Sequence, residues 1–501
     1  MAQDALSEFI ARMHELKDLG GAIGILSWDQ ETYMPAKGGE PRAHQLATMQ
    51  GLYHERLIAP ALGEAIAALE QRPSLGAEQR AMVRNVRWER DRAVKVPSRL
   101  VVELAEEQSR AVEAWRGARV RRDFSAFRPH LEVLIRLRRE QADALGHAGE
   151  RYDALLEGYE PSMRVERLAP LLERLREKLV PLVKAIVDTG RKPANPFAGR
   201  RFDPAKQWEF TLRLMRDLGF DLEAGRQDRS THPFTGGAGH PLDVRLTTRL
   251  EADDPLSGFM STIHECGHGL YEQGFPLEQG RTSLAQAPSF GLHESQSRFW
   301  ENLVGRSRPF WAHYLPILRS LFPQELAGVE PEAFDAWLNR VEPSLIRVEA
   351  DEVTYNLHIL VRFELELALM RGQLQAADLP EAWNERMRTF LGLTPSDDSV
   401  GVMQDIHWAW GEFGYFPTYA IGNLYSAMLL SRLEQEVPGV WEAIGRGELK
   451  VVLDWLRARI HRQGYLLPAE DLVEQVTGSR LCEAPFMDYL WKKYRPLYGL
   501  R

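Results

Sequence analysis

The spacing of apolar residues along this chain is the feature that most constrains its fold. Between Leu168 and Ile186 they recur every three or four positions, which places them on one face of an α-helix, and Gly190 is a predicted stop. Two further segments show the same spacing: Phe124 to Leu134, with Asp123 as a predicted N-cap, and Leu357 to Leu369. The pattern predicts a mostly helical protein.

Strand signals are few. The best candidate runs from Asp243 to Leu250 and reads DVRLTTRL, where apolar and polar residues partly alternate. The glycine-rich stretch before it, with Gly236, Gly237 and Gly239, is typical of a turn. A proline-rich stretch from Pro193 to Pro204 is a predicted loop. We therefore expect one small β-sheet near the middle of the chain.

Charge and cysteine content exclude several classes of partner. The formal charge of −9 disfavours nucleic acid, which requires clustered positive charge. Two cysteines, Cys266 and Cys482, imply no disulfide framework and fit a reducing compartment. Residues Met1 to Leu16 lack the apolar stretch of a signal peptide, and no run is long enough to span a bilayer. These features predict a cytoplasmic protein with no membrane partner.

The central motif is His264-Glu265-Cys266-Gly267-His268. Asp254 as N-cap, Pro255 at the first position and Gly274 beyond the end predict a helix around it. The two histidines then lie one turn apart on one face, where both can reach one tetrahedral zinc ion. A pair of ordinary core or surface histidines is the alternative. Glu265, about 100° around the helix, suits a base acting on zinc-bound water.

A catalytic zinc site needs a third protein ligand, because zinc usually keeps three such ligands and one open position. Glu294, 26 residues after the second histidine, is the candidate, and that gap suits a turn and a return helix. Its neighbour His293 could compete for the role of third ligand. Adjacent residues of a helix point in different directions, however, so His293 and Glu294 cannot both reach the metal easily, and we expect His293 to pack against the ligands or to support them. Cys266 is expected to be a small buried hydrophobe.

Several short motifs follow one another along the chain: His232-Pro233-Phe234, Asp243-Val244-Arg245-Leu246-Thr247, His264 to His268, His293-Glu294-Ser295-Gln296, Ile346-Arg347-Val348-Glu349-Ala350-Asp351 and Gly401-Val402-Met403-Gln404-Asp405-Ile406-His407-Trp408. Trp28-Asp29 and Met34-Pro35 precede them near the N-terminus. With these motifs in this order, the chain resembles the carboxypeptidase Taq family of metallocarboxypeptidases over nearly its whole length.

This resemblance implies a zinc-dependent enzyme that removes single amino acids from peptide C-termini with broad specificity. It also implies one metal per chain, with cobalt as a substitute, and a homodimer. The implied fold is similar to that of angiotensin-converting enzyme and neurolysin, a helical body with a deep central groove and one small sheet. We expect a single catalytic domain over 1–501, with an N-terminal helical region at about 1–190 and a catalytic half at about 205–501.

The resemblance also suggests which residues assist the reaction. Related clefts place a histidine and a tyrosine near the reacting carbonyl, so His407 and Tyr419 are candidate oxyanion donors. Aromatic packing is the alternative for Tyr419, and Tyr415 and Tyr425 are competing choices.

Two arginines of the matched motifs are candidates for binding the substrate carboxylate. Arg347 and Arg245 could bind it through paired hydrogen bonds, or could instead form structural ion pairs with Asp351 or Asp243. The DVRLT strand could also pair with the peptide backbone.

The position four residues after Glu294, where thermolysin-like enzymes often carry an aspartate, is Arg298. A ligating imidazole still needs an acceptor for its other N–H, and Asp351 or Asp405 is the predicted one.

Three other functions share part of this pattern. A zinc endopeptidase or a dipeptidase would use the same metal chemistry, and an endopeptidase would lack a carboxylate-binding site. A catalytically dead peptide-binding protein would not need Glu265. Residue preference, peptide length and the physiological substrate are not encoded in any recognisable motif.

Overall fold

The computed structural model describes residues 2–500, with side chains from Ala5 onward, so Met1 and Arg501 lie outside it. The first helices are α1 (Ala2–Thr32), α2 (Gly39–Ile58), α3 (Pro60–Glu70), α4 (Ala77–Lys95), α5 (Ser98–Arg121), α6 (Phe124–Leu145), α7 (Arg151–Leu156), α8 (Val165–Asp188) and α9 (Pro204–Leu218). After the sheet come α10 (Pro255–Glu272), α11 (Phe290–Arg298), α12 (Arg308–Leu321), α13 (Pro331–Leu338), α14 (Tyr355–Arg371), α15 (Leu379–Leu391), α16 (Pro417–Glu436), α17 (Val440–Gly445), α18 (Lys450–Arg459), α19 (Ala469–Thr477) and α20 (Ala484–Tyr498).

The predicted helices are confirmed where apolar spacing was clearest. Helix α8 buries the whole apolar face between Leu168 and Ile186, and Gly190, two residues beyond its end, has a φ of +66°. The Asp123 side chain accepts a hydrogen bond from the Ser125 amide at 3.0 Å, which caps α6. Helix α14 covers the third predicted segment and is buried on nearly every side. A mostly helical protein with one small sheet is therefore confirmed.

The sheet has three strands, β1 (Gly225–Arg229), β2 (Thr235–His240) and β3 (Asp243–Thr248), in the order β1-β3-β2. Strand β3 pairs parallel with β1 and antiparallel with β2. The prediction of a glycine-rich turn before β3 was wrong, because those glycines form β2, with an irregularity between Gly237 and His240. Strand β1 was not predicted, since its sequence GRQDR has no apolar residue.

Two apolar cores hold the helices together. The main core runs from Leu100 to Tyr498 and includes α8, α10 and α14. A smaller core joins helices of the first 95 residues, from Phe9 to Val86, with Leu284 from the segment before α11. The boundary between the two cores thus lies near residues 86–100. The boundary that the sequence suggests, between the N-terminal helical region and the catalytic half, is the loop near 193–204. Among residues 2–500, no helix combines the length and apolar character that a membrane crossing requires.

Candidate metal centre

Helix α10 carries the HECGH motif and begins as predicted. The Asp254 carboxylate accepts a hydrogen bond from the Ser257 amide at 3.3 Å, and Pro255 occupies the first turn. The helix ends at Glu272, two residues before Gly274. That glycine has no left-handed φ; a side chain there would collide with the ring of His461. Gly274 therefore serves packing rather than the predicted C-terminal turn.

One face of α10 is anchored in the core, and this fixes the direction in which the opposite face points. All members of the predicted apolar stripe are buried: Leu256, Met260, Ile263, Gly267 and Leu270. His264 and His268 consequently project together, with ring centroids 5.0 Å apart. Their side chains keep 18% and 13% of their accessible surface, so the pair can be reached from solvent.

The third candidate ligand arrives on the predicted return helix. Helix α11 begins where the Ser289 hydroxyl accepts a hydrogen bond from the Leu292 amide at 3.0 Å. The helix passes so close to α10 that a Cβ on Gly267 would lie 2.7 Å from the Gln296 carbonyl oxygen and from the Ser297 Cα. The glycine inside the motif thus allows the backbone approach that brings Glu294 to the histidines.

A second glycine makes room for the Glu294 side chain. Helix α16 packs on α11 at Gly422, where a Cβ would lie 2.7 Å from the Glu294 Cγ. Glu294 is therefore held between α10 and α16, with 10% of its side chain exposed.

The three predicted ligands converge. One ligand atom each from His264, His268 and Glu294 lies within 4.8 Å of the others. The Glu294 Oε2 is 3.3 Å from the His268 Nε2 and 3.7 Å from the His264 Nε2. Two imidazole nitrogens and one carboxylate oxygen are the donor set of a catalytic zinc site, so these residues fit a metal ion.

The acceptor for the His264 ring is Glu301, so the prediction of Asp351 or Asp405 was wrong. The Glu301 Oε2 lies 2.8 Å from the His264 Nδ1, which leaves Nε2 to face Glu294. Asp351 instead accepts hydrogen bonds from the Thr354 amide and hydroxyl at the start of α14. Among the described residues, the Nδ1 of His268 has no partner.

Arg298 joins the two glutamates on one side of the site. Its Nε donates to the Glu294 Oε1 at 2.6 Å and its Nη1 to the Glu301 Oε2 at 3.2 Å. Arg306 adds a second cation, 3.3 Å from the Glu301 Oε1. Burial alone would raise the pKa of Glu294, but Arg298 and the two histidines outweigh it and hold that pKa well below its usual value. The carboxylate is therefore charged and ready to bind a cation.

The two histidines differ in their acid–base behaviour. Burial lowers the pKa of His268 to about 3, so its imidazole is neutral at pH 7. Burial also acts to lower the pKa of His264, but Glu294 and Glu301 outweigh it and raise that pKa. A metal ion competes with a proton for the His264 imidazole, so metal binding at this site is coupled to pH.

Glu265 lies beside the ligands and is held by a residue of the sheet. The Thr235 hydroxyl, at the start of β2, is 2.8 Å from the Glu265 Oε2 and 2.9 Å from the Glu265 carbonyl oxygen. Burial raises the pKa of Glu265, and the charge of His264 and the Thr235 hydroxyl partly offset this. A carboxylate with a raised pKa is a better proton acceptor.

His293 and Cys266 take the supporting places that were predicted for them. The His293 ring stacks on the His268 ring, with centroids 4.4 Å apart and planes 18° apart, and its Nε2 lies 3.1 Å from the Glu272 Oε1. Cys266 is fully buried, and burial raises the pKa of its thiol.

His407 and Tyr419, the candidate oxyanion donors, lie next to each other, with the hydroxyl 3.5 Å from the His407 Nε2. The His407 Nδ1 has no partner among the described residues, and burial lowers the pKa of the ring to about 3. Tyr415 is also adjacent, with its ring centroid 5.5 Å from that of His407. Tyr425 is buried within α16 and borders a small cavity with Glu160 instead.

The two candidate carboxylate-binding arginines both have acidic partners. Arg347 is 5% exposed; its Nη2 donates to the Asp405 Oδ1 at 2.8 Å and its Nη1 to the Tyr355 hydroxyl at 2.9 Å. Arg245 pairs with Asp243 at 2.7 Å, and its guanidinium lies 4.8 Å from the Trp28 ring centre.

The idea that the DVRLT strand pairs with a peptide was wrong. Strand β3 is the central strand, and its two edges are occupied by β1 and β2. An added strand needs a free edge.

Two residues of the site were missed by sequence reasoning, and each had a local signal. Glu301 follows Glu294 by seven residues, or two helical turns, on a helix that continues from α11 through a π-helical stretch, Phe299–Val304. Thr235 comes directly after His232-Pro233-Phe234.

Comparison with known proteins agrees with this geometry. A family model described as Carboxypeptidase Taq (M32) metallopeptidase matches residues 8–494. Thermostable carboxypeptidase 1 of Thermus thermophilus is 46% identical, and the alignment covers 99% of each chain. Carboxypeptidase 1 of Bacillus subtilis is 35% identical, with 98% of each chain covered.

Solved structures give the same result for the fold. The crystal structure of an M32 carboxypeptidase from Deinococcus radiodurans has a TM-score of 0.96 and 38% identity, covering 99% of this chain and 100% of that one. A family match over nearly the whole chain, full-length relatives and a shared fold confirm the resemblance drawn from the motifs: the chain belongs to the carboxypeptidase Taq (M32) family of metallopeptidases and is a metallocarboxypeptidase.

Proposed function

We propose that the metal of this carboxypeptidase is zinc, one ion per chain, held by His264, His268 and Glu294. The observation that carries the proposal is the convergence of two imidazole nitrogens and one carboxylate oxygen within 4.8 Å. When bound, zinc supplies Lewis acidity to the peptide carbonyl and lowers the pKa of a water molecule to about 7. Cobalt is expected to bind the same donors.

Glu265 is the proposed general base. It takes a proton from the attacking water and delivers it to the leaving amine. Its contact with Thr235 supports this role, because a carboxylate held by one oxygen keeps the other directed toward a reactant. The raised pKa of Glu265 makes its carboxylate a stronger proton acceptor.

His407 and Tyr419 are the proposed donors to the oxyanion. Support comes from their adjacency and from the unpartnered His407 Nδ1, since a buried ring nitrogen without a protein partner is available to a substrate. Loss of one such donor costs about 2.7–4 kcal/mol of transition-state stabilisation in comparable enzymes. An unchanged turnover number in Tyr419→Phe would remove Tyr419 from this role.

Arg347 and Arg245 remain the proposed ligands for the substrate carboxylate. Arg347 is the better placed, since its guanidinium lies 5.2 Å from the ring centre of Tyr419. A substrate carboxylate would share this cation with Asp405. Replacing Arg347 with Lys should raise KM for free peptides far more than for C-terminal amides, because lysine cannot form the paired hydrogen bonds.

We further propose single-residue removal with broad specificity and a homodimer, both of which follow from the family resemblance, and a cytoplasmic location, which the low cysteine count favours. The decisive experiment is mass spectrometry of a peptide and of its C-terminal amide, each incubated with enzyme, with and without chelator. A C-terminal ladder from the free peptide that stops on chelation and returns with zinc is expected. Equal cleavage of the amide would contradict carboxylate recognition, and return of activity without zinc, cobalt or another divalent ion would contradict the metal role.

A further inference from the structure

An exposed aromatic side chain stands next to the metal ligands. Phe290, the first residue of α11, keeps 50% of its surface accessible. It precedes Glu294 by one helical turn, so the two side chains leave the same face of the helix and their Cβ atoms are about 5–6 Å apart. A large apolar group is thus available directly beside the proposed zinc.

Phe290 belongs to a cluster of three rings that meet edge to face. Its centroid lies 5.6 Å from that of Tyr159 and 5.7 Å from that of Tyr415, and the two tyrosine centroids are 5.1 Å apart. The Phe290 amide also donates to the Tyr159 carbonyl oxygen at 3.0 Å. We call Tyr159, Phe290 and Tyr415 the aromatic cluster.

The aromatic cluster adjoins the groups assigned to the reaction. The Tyr415 ring centroid is 5.5 Å from that of His407 and 5.3 Å from that of Tyr419. The cluster therefore lies between the ligand Glu294 on one side and the proposed oxyanion donors on the other. A side chain of a bound peptide close to the scissile bond would meet these rings.

Buried glutamate side chains fix the backbone on both sides of the cluster. A carboxyl oxygen of Glu160, directly after Tyr159, accepts a hydrogen bond from the amide of Gly291, directly after Phe290. A carboxyl oxygen of Glu366 accepts a hydrogen bond from the amide of Gly414, directly before Tyr415, at 3.0 Å.

Glu366 also binds two neighbouring side chains, the Tyr152 hydroxyl and the Trp408 Nε1, both at 2.8 Å. Glu160 and Glu366 are only 2% and 0% exposed. The rings are thus held before substrate arrives, as a binding subsite requires.

Resting on the carboxypeptidase function, we propose that the aromatic cluster is an apolar subsite for the side chain of a residue adjoining the scissile bond, and that Phe290 is its specificity-determining residue. The enzyme then prefers aromatic and large aliphatic side chains at that position. Such side chains cover the exposed Phe290 face and gain edge-to-face contacts that alanine or glycine cannot make. Acidic side chains are disfavoured, because the negative faces of the rings repel a carboxylate.

The test uses two series of N-blocked peptides, in which either the C-terminal residue or the one before it is Ala, Leu or Phe. Wild-type enzyme is expected to prefer Phe and Leu over Ala in one of the series. Phe290→Ala should lower kcat/KM for the preferred peptide about tenfold or more and change the alanine peptide less than about twofold. Phe290→Leu keeps part of the apolar surface, so the preference should be intermediate.

Trp491→Ala is the matched control, because Trp491 is an aromatic residue with 37% exposure on α20. It should keep the wild-type preference. Equal losses for all peptides in Phe290→Ala and Phe290→Leu would overturn the proposal, since Phe290 would then support the site rather than contact substrate. An unchanged preference in both would overturn it too. Turnover of the alanine peptide by the wild type tests the carboxypeptidase function separately.

Discussion

Replacing Glu301 should weaken metal binding although it is not a ligand. Glu301 accepts the His264 Nδ1–H at 2.8 Å and meets Arg298 and Arg306 at 3.2 and 3.3 Å. Without it, the imidazole loses its fixed orientation and tautomer, and two cations beside the site lose an anionic partner. Removing the acceptor of a ligating histidine typically costs 10–100-fold in metal affinity, or about 1.4–2.7 kcal/mol.

The two variants of choice separate orientation from charge. Glu301→Gln keeps an oxygen that can accept a hydrogen bond from His264, so metal affinity should fall about tenfold. Glu301→Ala removes both the acceptor and the charge, so metal affinity should fall about 100-fold. Asp351→Asn is the matched control, because Asp351 is an aspartate whose partners are at the start of α14 rather than at His264. It should bind metal like the wild type.

The assay is competition for zinc between the protein and a chromophoric chelator, with circular dichroism to verify the fold of each variant. Activity at saturating zinc should recover more fully in Glu301→Gln than in Glu301→Ala. If both variants bind zinc as tightly as the wild type, Glu301 does not orient His264 during ligation. If Asp351→Asn weakens binding as much as they do, the effect is not specific to the contact at His264.

Three further perturbations test separate parts of the structure. Gly267→Ala should lower the free energy of unfolding by about 1–3 kcal/mol and remove most of the bound metal, because the new Cβ meets the α11 backbone. Thermal unfolding and metal analysis measure the two effects. Gly51→Ala on α2 is the control, because the space around Gly51 is open. Normal metal content in Gly267→Ala would refute the close approach. Thr235→Val should move the acid limb of the pH profile of kcat/KM to higher pH, because the hydroxyl favours the charged form of Glu265. An acid limb at the wild-type pH would contradict this. Burial raises the pKa of Glu160 to about 8 from 4.5, so this group contributes stability that is full below pH 4.5 and is lost as pH rises through 8. The free energy of unfolding of Glu160→Gln, measured with denaturant, should therefore fall less between pH 5 and 8 than that of the wild type. An equal fall in both proteins would refute the prediction.

The metal-binding helix is the clearest case of what sequence pattern can predict. Its cap at Asp254, its buried stripe and the common face of His264 and His268 all follow from a period of 3.6 residues, and all are confirmed. The return of the chain to place Glu294 was predictable as well, because the spacing left room for a turn and one helix. Local rules suffice here because each of these contacts lies within about 30 residues along the chain.

The surroundings of the metal were harder to predict. Asp351 and Asp405 were reasonable acceptors by motif, but Asp405 is engaged by Arg347 and Arg362. Glu301 took the acceptor role from a position two helical turns after Glu294, and only the π-helical stretch that carries it was unmarked by any residue pattern. The glycines of β2 looked like a turn, since glycine favours turns when read alone, but pairing with β3 stabilises them as a strand.

By itself, the sequence determined the helical architecture, the family and the candidate residues for metal binding and proton transfer, because periodicity and motif spacing are local properties. Only the tertiary structure decided which carboxylate contacts His264, that β3 is paired on both edges, and that Tyr159, Phe290 and Tyr415 meet one helical turn from Glu294. Those contacts join segments up to about 250 residues apart, and their geometry depends on how α10, α11 and α16 pack. Such packing is set by the summed fit of many side chains, which no single segment encodes.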